Sequence, residues 1–260
     1  MLLSVRESGP PDGAAVVCIH GLAQHGGVYA DLAAALAQTG RRVLSVDLRG
    51  HGASGYEPPW NAETHVADLL ETASAHGVES AAWIGHSFGG RLAAMVAALA
   101  EGRVERLTLL DPGFGLSPQQ ALAGAERDRQ DWSFATAEGA VNALLSSEAA
   151  VATPRQVVAD YVAEDLVRGA DGRLRFRYSP GALVVAWSEM ALPPPPVAPV
   201  PTLLLRPAAS APHTVAEDLR YRNALGSLLK TVVVPNGHNV LWETPEQTIA
   251  AVVDFVASEG

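Results

Sequence analysis

One serine in this 260-residue chain sits where a hydroxyl can be made to react. Ser87 lies in Gly85-His86-Ser87-Phe88-Gly89-Gly90, after the apolar run 81–84 and before the run 91–99. In the second run Leu92, Met95, Val96 and Leu99 share one helical face. A G-x-S-x-G between a strand and a helix is a nucleophile elbow, whose turn strains the serine backbone and lifts its hydroxyl above the sheet. Gly85 and Gly89 are expected to be small because the strand and helix backbones approach closely there. The bland alternative is a glycine-rich turn whose serine only caps the helix.

A serine hydroxyl is a poor nucleophile near neutral pH, so it needs a base, and the base needs an orienting acid. Of the eight histidines, His238 stands out, in the loop Gly237-His238-Asn239 after the last strand and before the final helix. Loops at that edge of a parallel sheet face one crevice. The alternative is a surface loop histidine, which would leave Ser87 without an activator. His86 is expected to turn its side chain away from the Ser87 hydroxyl, His76 and His213 to be solvated, and His51 and His65 to hydrogen-bond loops. With no carboxylate–histidine helix motif, neither a metal nor a cofactor is expected. Attack on a carbonyl creates an oxyanion that wants two backbone N–H donors. Phe88 supplies one, and the loop His20-Gly21-Leu22-Ala23 the other, with Leu22 favoured and Ala23 in reserve.

The elements that must position these groups alternate between short β-like runs and longer Ala-rich helical runs. That is the pattern of an α/β fold, a mostly parallel twisted sheet with helices on both faces. Strands are expected at 2–7 (an edge), 14–19, 42–47, 79–84, 104–110, 202–205 and 231–234. Helices are expected at 28–38, 61–76, 215–225 and 245–258. Between about 114 and 196 the rhythm changes to helical stretches without a clear buried strand, ending in Pro193-Pro194-Pro195-Pro196. This reads as a helical insertion, with the proline run as a stiff connector.

Composition narrows the function classes. Hydrophobic residues make up 48% and charged residues 18%, an ordinary globular balance. The net charge of −10 argues against nucleic acid or an anionic membrane surface as partner, since phosphate contacts need clustered Lys and Arg. No apolar stretch approaches the ~18 residues of a membrane span, so no stable membrane insertion is expected. Cys18 is the only cysteine, which leaves no intramolecular disulfide and reads as a buried strand thiol. The first residues lack a basic segment followed by a long apolar core, so a cytoplasmic protein, monomer or homodimer, is the expectation.

Taken together, His20-Gly21, the run 47–54 (Asp47-Leu48-Arg49-Gly50-His51-Gly52-Ala53-Ser54), the elbow, Leu109-Leu110-Asp111-Pro112 and Gly237-His238 resemble the α/β-hydrolases of the lipase/esterase type. The resemblance covers about 14–112 and 200–258. In the insertion only 178–192, with Trp187-Ser188-Glu189, is similar to actinobacterial lipase-like members, and more loosely. It implies a core of 1–113 and 197–260 with a helical lid of 114–196, acting on a small-molecule ester through an acyl-enzyme. One departure bears on the acid. In many relatives the acid sits in a loop of the form R-G-x-D-S after the lid, and here that position is Ala209. Some members carry the acid one strand earlier, which makes Asp111 the favoured acid. Glu217 and Asp218 are the alternatives, and a strand-end cap before Pro112 is the bland role for Asp111. Asp47 is read as structural. Pockets for small ligands are mostly apolar, so Trp60, Phe114, Trp132, Trp187 and Met190 are candidates to line the substrate site. Other chemistry of the same family stays open (thioester or carbon–carbon bond hydrolysis, cofactor-free perhydrolysis), as does a binding protein without turnover.

Overall fold

The computed structural model describes residues 1–146, 152–208, 212–235 and 237–258. Chain order runs β1 (Val5–Ser8), β2 (Ala15–Ile19), α1 (Ala30–Gln38), β3 (Arg42–Val46), α2 (Ala62–Ala75), β4 (Ala81–His86), α3 (Phe88–Leu99) and β5 (Val104–Leu110). Next come α4 (Pro118–Asp128), β6 (Ser133–Phe134), α5 (Ala137–Leu145), α6 (Arg155–Asp165), β7 (Leu166–Arg168), β8 (Leu174–Phe176) and α7 (Pro180–Ala191). The chain closes with β9 (Thr202–Pro207), α8 (Pro212–Leu225), β10 (Leu229–Val234), α9 (Val240–Glu243) and α10 (Pro245–Ala257).

Seven strands make one sheet in the order β1-β3-β2-β4-β5-β9-β10, parallel except for β1, which runs antiparallel on β3. All six residues of β4 and the last four of β2 are buried, because helices cover both faces of the sheet. Alternate side chains divide between two cores. Val17, Ile19, Leu44, Trp83 and Leu204 face α2, α3 and α8. Val16, Cys18, Val43, Ile84, Leu203 and Leu205 face α1 and α10. Cys18 is fully buried, and burial pushes its thiol up to about 12.

The register levels the strand ends where the site forms. Ile19 lies opposite Gly85, and His86 opposite Leu110. Leu110 in turn lies opposite Leu205. So His20, Ser87 and Asp111, each one residue beyond its strand, emerge on one edge.

The segment between β5 and β9 differs from a purely helical insertion. Among the described residues it carries the three-stranded sheet β6-β8-β7 beside four helices, over a small core of Val141, Val158, Tyr161, Val162 and Phe176. The strands span two or three residues each, too short for an alternating pattern to register. β7 and β8 form a hairpin around Gly169 to Arg173, where the Gly169 N–H donates to the Arg173 carbonyl and Gly172 takes φ +78°. α4 starts at Ser117, whose hydroxyl accepts from the Gln120 N–H while the Gln120 side chain accepts from the Ser117 N–H, with Pro118 in the first turn. Among the described residues no helix is long and apolar enough to cross a membrane.

Candidate active site

At Ser87 the chain turns from β4 directly into α3. Ser87 takes φ +52° and ψ −118°, a conformation that costs a non-glycine residue on the order of 1–3 kcal/mol and persists only where its surroundings enforce it. Here they do. The Ser87 N–H donates to the Leu110 carbonyl, and the Ser87 carbonyl accepts from Gly90 and Gly113. A Cβ on Gly85 would lie 2.2 Å from the Gly89 carbonyl oxygen, and one on Gly89 2.2 Å from that of Ile19. Side chains are excluded at both positions by backbone on the far side.

His238 and Asp111 meet across two loops. Nδ1 of His238 is 2.6 Å from Oδ2 of Asp111, and the carboxylate can only accept, so Nδ1–H donates. In a neutral ring this leaves Nε2 bare, the tautomer a general base requires. Asp111 itself holds φ +40°, a value Asp tolerates better than most residues, with its N–H donated to the Leu205 carbonyl. Glu217 and Asp218 lie elsewhere on α8 with their own cations. Glu217 pairs with Arg220; Asp218 pairs with Arg222 and accepts from the Thr231 hydroxyl. Ala209 lies outside the described residues.

Sequence reasoning missed His86. Its ring does not turn away from the site; it is buried and lines the same cavity as Ser87 and His238. Burial pushes it down to about 3, so it is neutral. Nε2–H donates to the His238 carbonyl at 2.9 Å, so Nδ1 is bare and lies 3.2 Å from the Gln24 side-chain oxygen, two acceptors with no hydrogen bond between them. The Gln24 oxygen accepts from the Gly21 N–H at 3.1 Å. His86 thus bonds the loop bearing His238 and only packs beside the loop after β2. Proximity to the serine was the only sequence signal, and alternation along β4 argued against it.

Among the other histidines, His20 and His51 bond loop backbone. His20 accepts from the Leu48 N–H at Nε2 and so donates from Nδ1 to the Gly21 carbonyl. His51 lies against the Arg49 carbonyl, while buried His65 sets its ring edge-on to Phe88. His76 is partly exposed beside Glu7, and the side chain of His213 is outside the described set. Asp47 ties two turns together, accepting from the N–H groups of Gly26 and Ala53. Among the described residues no cluster of three or more His, Cys, Asp or Glu side chains could hold a metal ion.

A cavity of about 210 Å³ opens beside Ser87 and His238. Its walls include Leu22, Leu144, Val158, Tyr161 and Trp242, together with Trp132 and Trp187 from the expected set. Trp187 donates its indole N–H to Asp128 at 2.7 Å and lies under the Arg127 guanidinium. Trp60, Phe114 and Met190 do not line it. Phe114 stacks on Tyr221, and Met190 packs on Gly113, both in the core beneath the site. The Trp60 ring covers Gly50 and Gly181. Apolar character alone does not separate pocket wall from core, since both bury the same side chains. Leu22 and Phe88 flank the serine. Phe88 is the first residue of α3, where N–H groups lack helical partners, and neither N–H donates to another group among the described residues.

Comparison with known proteins agrees with this architecture. Residues 14–192 match the model of the alpha/beta hydrolase fold. The chain is 31% identical over 262 residues to Lipase LipV of Mycobacterium tuberculosis, covering 96% of each. A local match of 36% over 69 residues links it to Esterase YbfF of Escherichia coli, 27% of that protein. The crystal structure of E-2-(acetamidomethylene)succinate hydrolase superposes with a TM-score of 0.85 at 22% identity, over 98% of this chain and 95% of that one. The chain belongs to the α/β-hydrolase family.

Proposed function

We propose that the protein is a serine hydrolase that cleaves carboxylic esters through an acyl-enzyme. The observation that carries this reading is the 2.6 Å His238–Asp111 hydrogen bond on the sheet edge where Ser87 sits in a strained elbow. His238 Nε2 takes the proton from the Ser87 hydroxyl as it attacks the ester carbonyl, then returns it to the departing alcohol. Water enters, gives a proton to the same nitrogen and cleaves the acyl-enzyme, while Asp111 holds the ring and stabilises its cation. The Leu22 and Phe88 N–H groups receive the oxyanion, a contribution of about 10²–10³ in rate per donor. Segment 114–196 acts as the lid that supplies about half of the pocket wall. The cavity exceeds the ~150 Å³ void that admits benzene, so a compact acyl or aryl group fits beside Ser87. Relatives named as a lipase and an esterase support the reading. The test is hydrolysis of p-nitrophenyl butyrate by wild type and Ser87→Ala. Loss of turnover in a folded variant is expected, and wild-type turnover in Ser87→Ala would overturn the proposal.

A further inference from the structure

The loop that carries Leu22 is held from outside by one side chain. Within residues 21–24 the Gly21 N–H is satisfied internally by Gln24 and the Gly21 carbonyl by His20. The Ala23 carbonyl instead accepts from the Tyr161 hydroxyl at 2.6 Å, across 138 residues of sequence. Among the described residues it is the one backbone group of this stretch bonded to a side chain from a distant element. Ala23 also has φ +54°, a left-handed conformation that costs an L-residue with a Cβ roughly 1–2 kcal/mol. A strained residue beside a working peptide needs an external constraint, and the tyrosine supplies it.

Tyr161 is built for that task. It sits on α6 of the inserted segment, is nearly buried, stacks on His25 with ring centroids 5.3 Å apart, and meets Trp242 at 5.1 Å. Its ring forms part of the wall between the cavity at Ser87 and a second cavity of about 230 Å³ beneath α6. Its hydroxyl has one proton to give. At 2.6 Å the Ala23 carbonyl is the nearer acceptor, against 3.3 Å to Asp165 Oδ2.

We propose that Tyr161 is a positioning residue for the oxyanion-binding loop: its hydroxyl fixes the Ala23 carbonyl, and through it the Leu22 N–H one residue earlier. The inserted segment then does more than wall the pocket, because the second oxyanion donor is set only while α6 is seated on the core. The inference rests on the serine-hydrolase reading given above.

Tyr161→Phe removes the hydroxyl and keeps the ring. With p-nitrophenyl butyrate, kcat is expected to fall about 10–100-fold, less than outright loss of a donor, with KM within about twofold. Affinity for an aryl trifluoromethyl ketone, which adds Ser87 to give a tetrahedral oxyanion, should weaken by the same factor as kcat/KM. Hydrogen exchange of a peptide spanning 20–25 should quicken in the variant, a readout independent of turnover. Unchanged kcat and exchange, or a rise in KM alone, would overturn the proposal and leave Tyr161 as pocket wall. Wild-type protein without Ser87-dependent turnover would overturn the underlying reading instead, and this proposal with it.

Discussion

Lowering the pH should unfold this protein through its buried histidines. His20, His51, His65 and His86 are each driven from the ordinary 6.5 down to about 3, chiefly by burial. A folded-state value below the unfolded one means that the stability is present above pH 6.5 and is lost as pH falls toward 3. At pH 5 an unfolded histidine has gained a proton worth RT ln(1 + 10^1.5), about 2 kcal/mol, so four of them cost about 8 kcal/mol. The figure barely changes so long as the folded values stay below about 4, because at pH 5 the unfolded chain does the titrating. Asp165 opposes this. Burial raises it from 3.8 to about 6, so its ionisation destabilises the fold above that pH, and protonation at pH 5 returns roughly 1–2 kcal/mol. The net loss between pH 8 and pH 5 is therefore about 6–7 kcal/mol, comparable to the whole stability of a typical domain. Urea titrations followed by tryptophan emission at several pH values measure it directly. A change below about 2 kcal/mol over that range would refute the reasoning, and His65→Gln should reduce the loss by about 2 kcal/mol.

Other substitutions separate the roles of individual groups. Asp111→Asn should lower kcat by about 10³–10⁴ in a folded protein, while Glu217→Ala and Asp218→Ala stay within a few-fold; the reverse pattern in p-nitrophenyl ester kinetics would reassign the acid. His86→Leu removes the side-chain N–H from the His238 carbonyl, which keeps the Val240 N–H, and should reduce kcat about tenfold, whereas His86→Gln, which can still donate, should restore much of it. Gly89→Ala would set a Cβ 2.2 Å from the Ile19 carbonyl oxygen, and denaturant titration should show a loss above about 2 kcal/mol.

The sheet could be read from sequence because its strands are buried on both faces and appear as unbroken apolar runs, as in Val16-Val17-Cys18-Ile19. The elbow was readable for a related reason. Two glycines flanking Ser87 answer backbone contacts that no other residue permits. Asp111 emerged only by comparing the usual acid position, Ala209, with the neighbouring strand end. What stayed hidden depends on contacts between distant segments. Tyr161 reaches Ala23 from α6, and His86 reaches the carbonyl of His238. Neither pairing leaves a periodic or spacing signal. The pocket wall was only half found for the same reason: Trp132 and Trp187 line it and Trp60, Phe114 and Met190 do not, although all five look alike as apolar residues.

The central claim is that Ser87 is an activated nucleophile. A fluorophosphonate probe reacts only with such a hydroxyl, and peptide mass mapping locates the adduct. One adduct per chain is expected, on Ser87, absent in Ser87→Ala and strongly slowed in His238→Ala. A folded wild-type protein that takes no label, or takes it elsewhere while ester hydrolysis survives in Ser87→Ala, would contradict it.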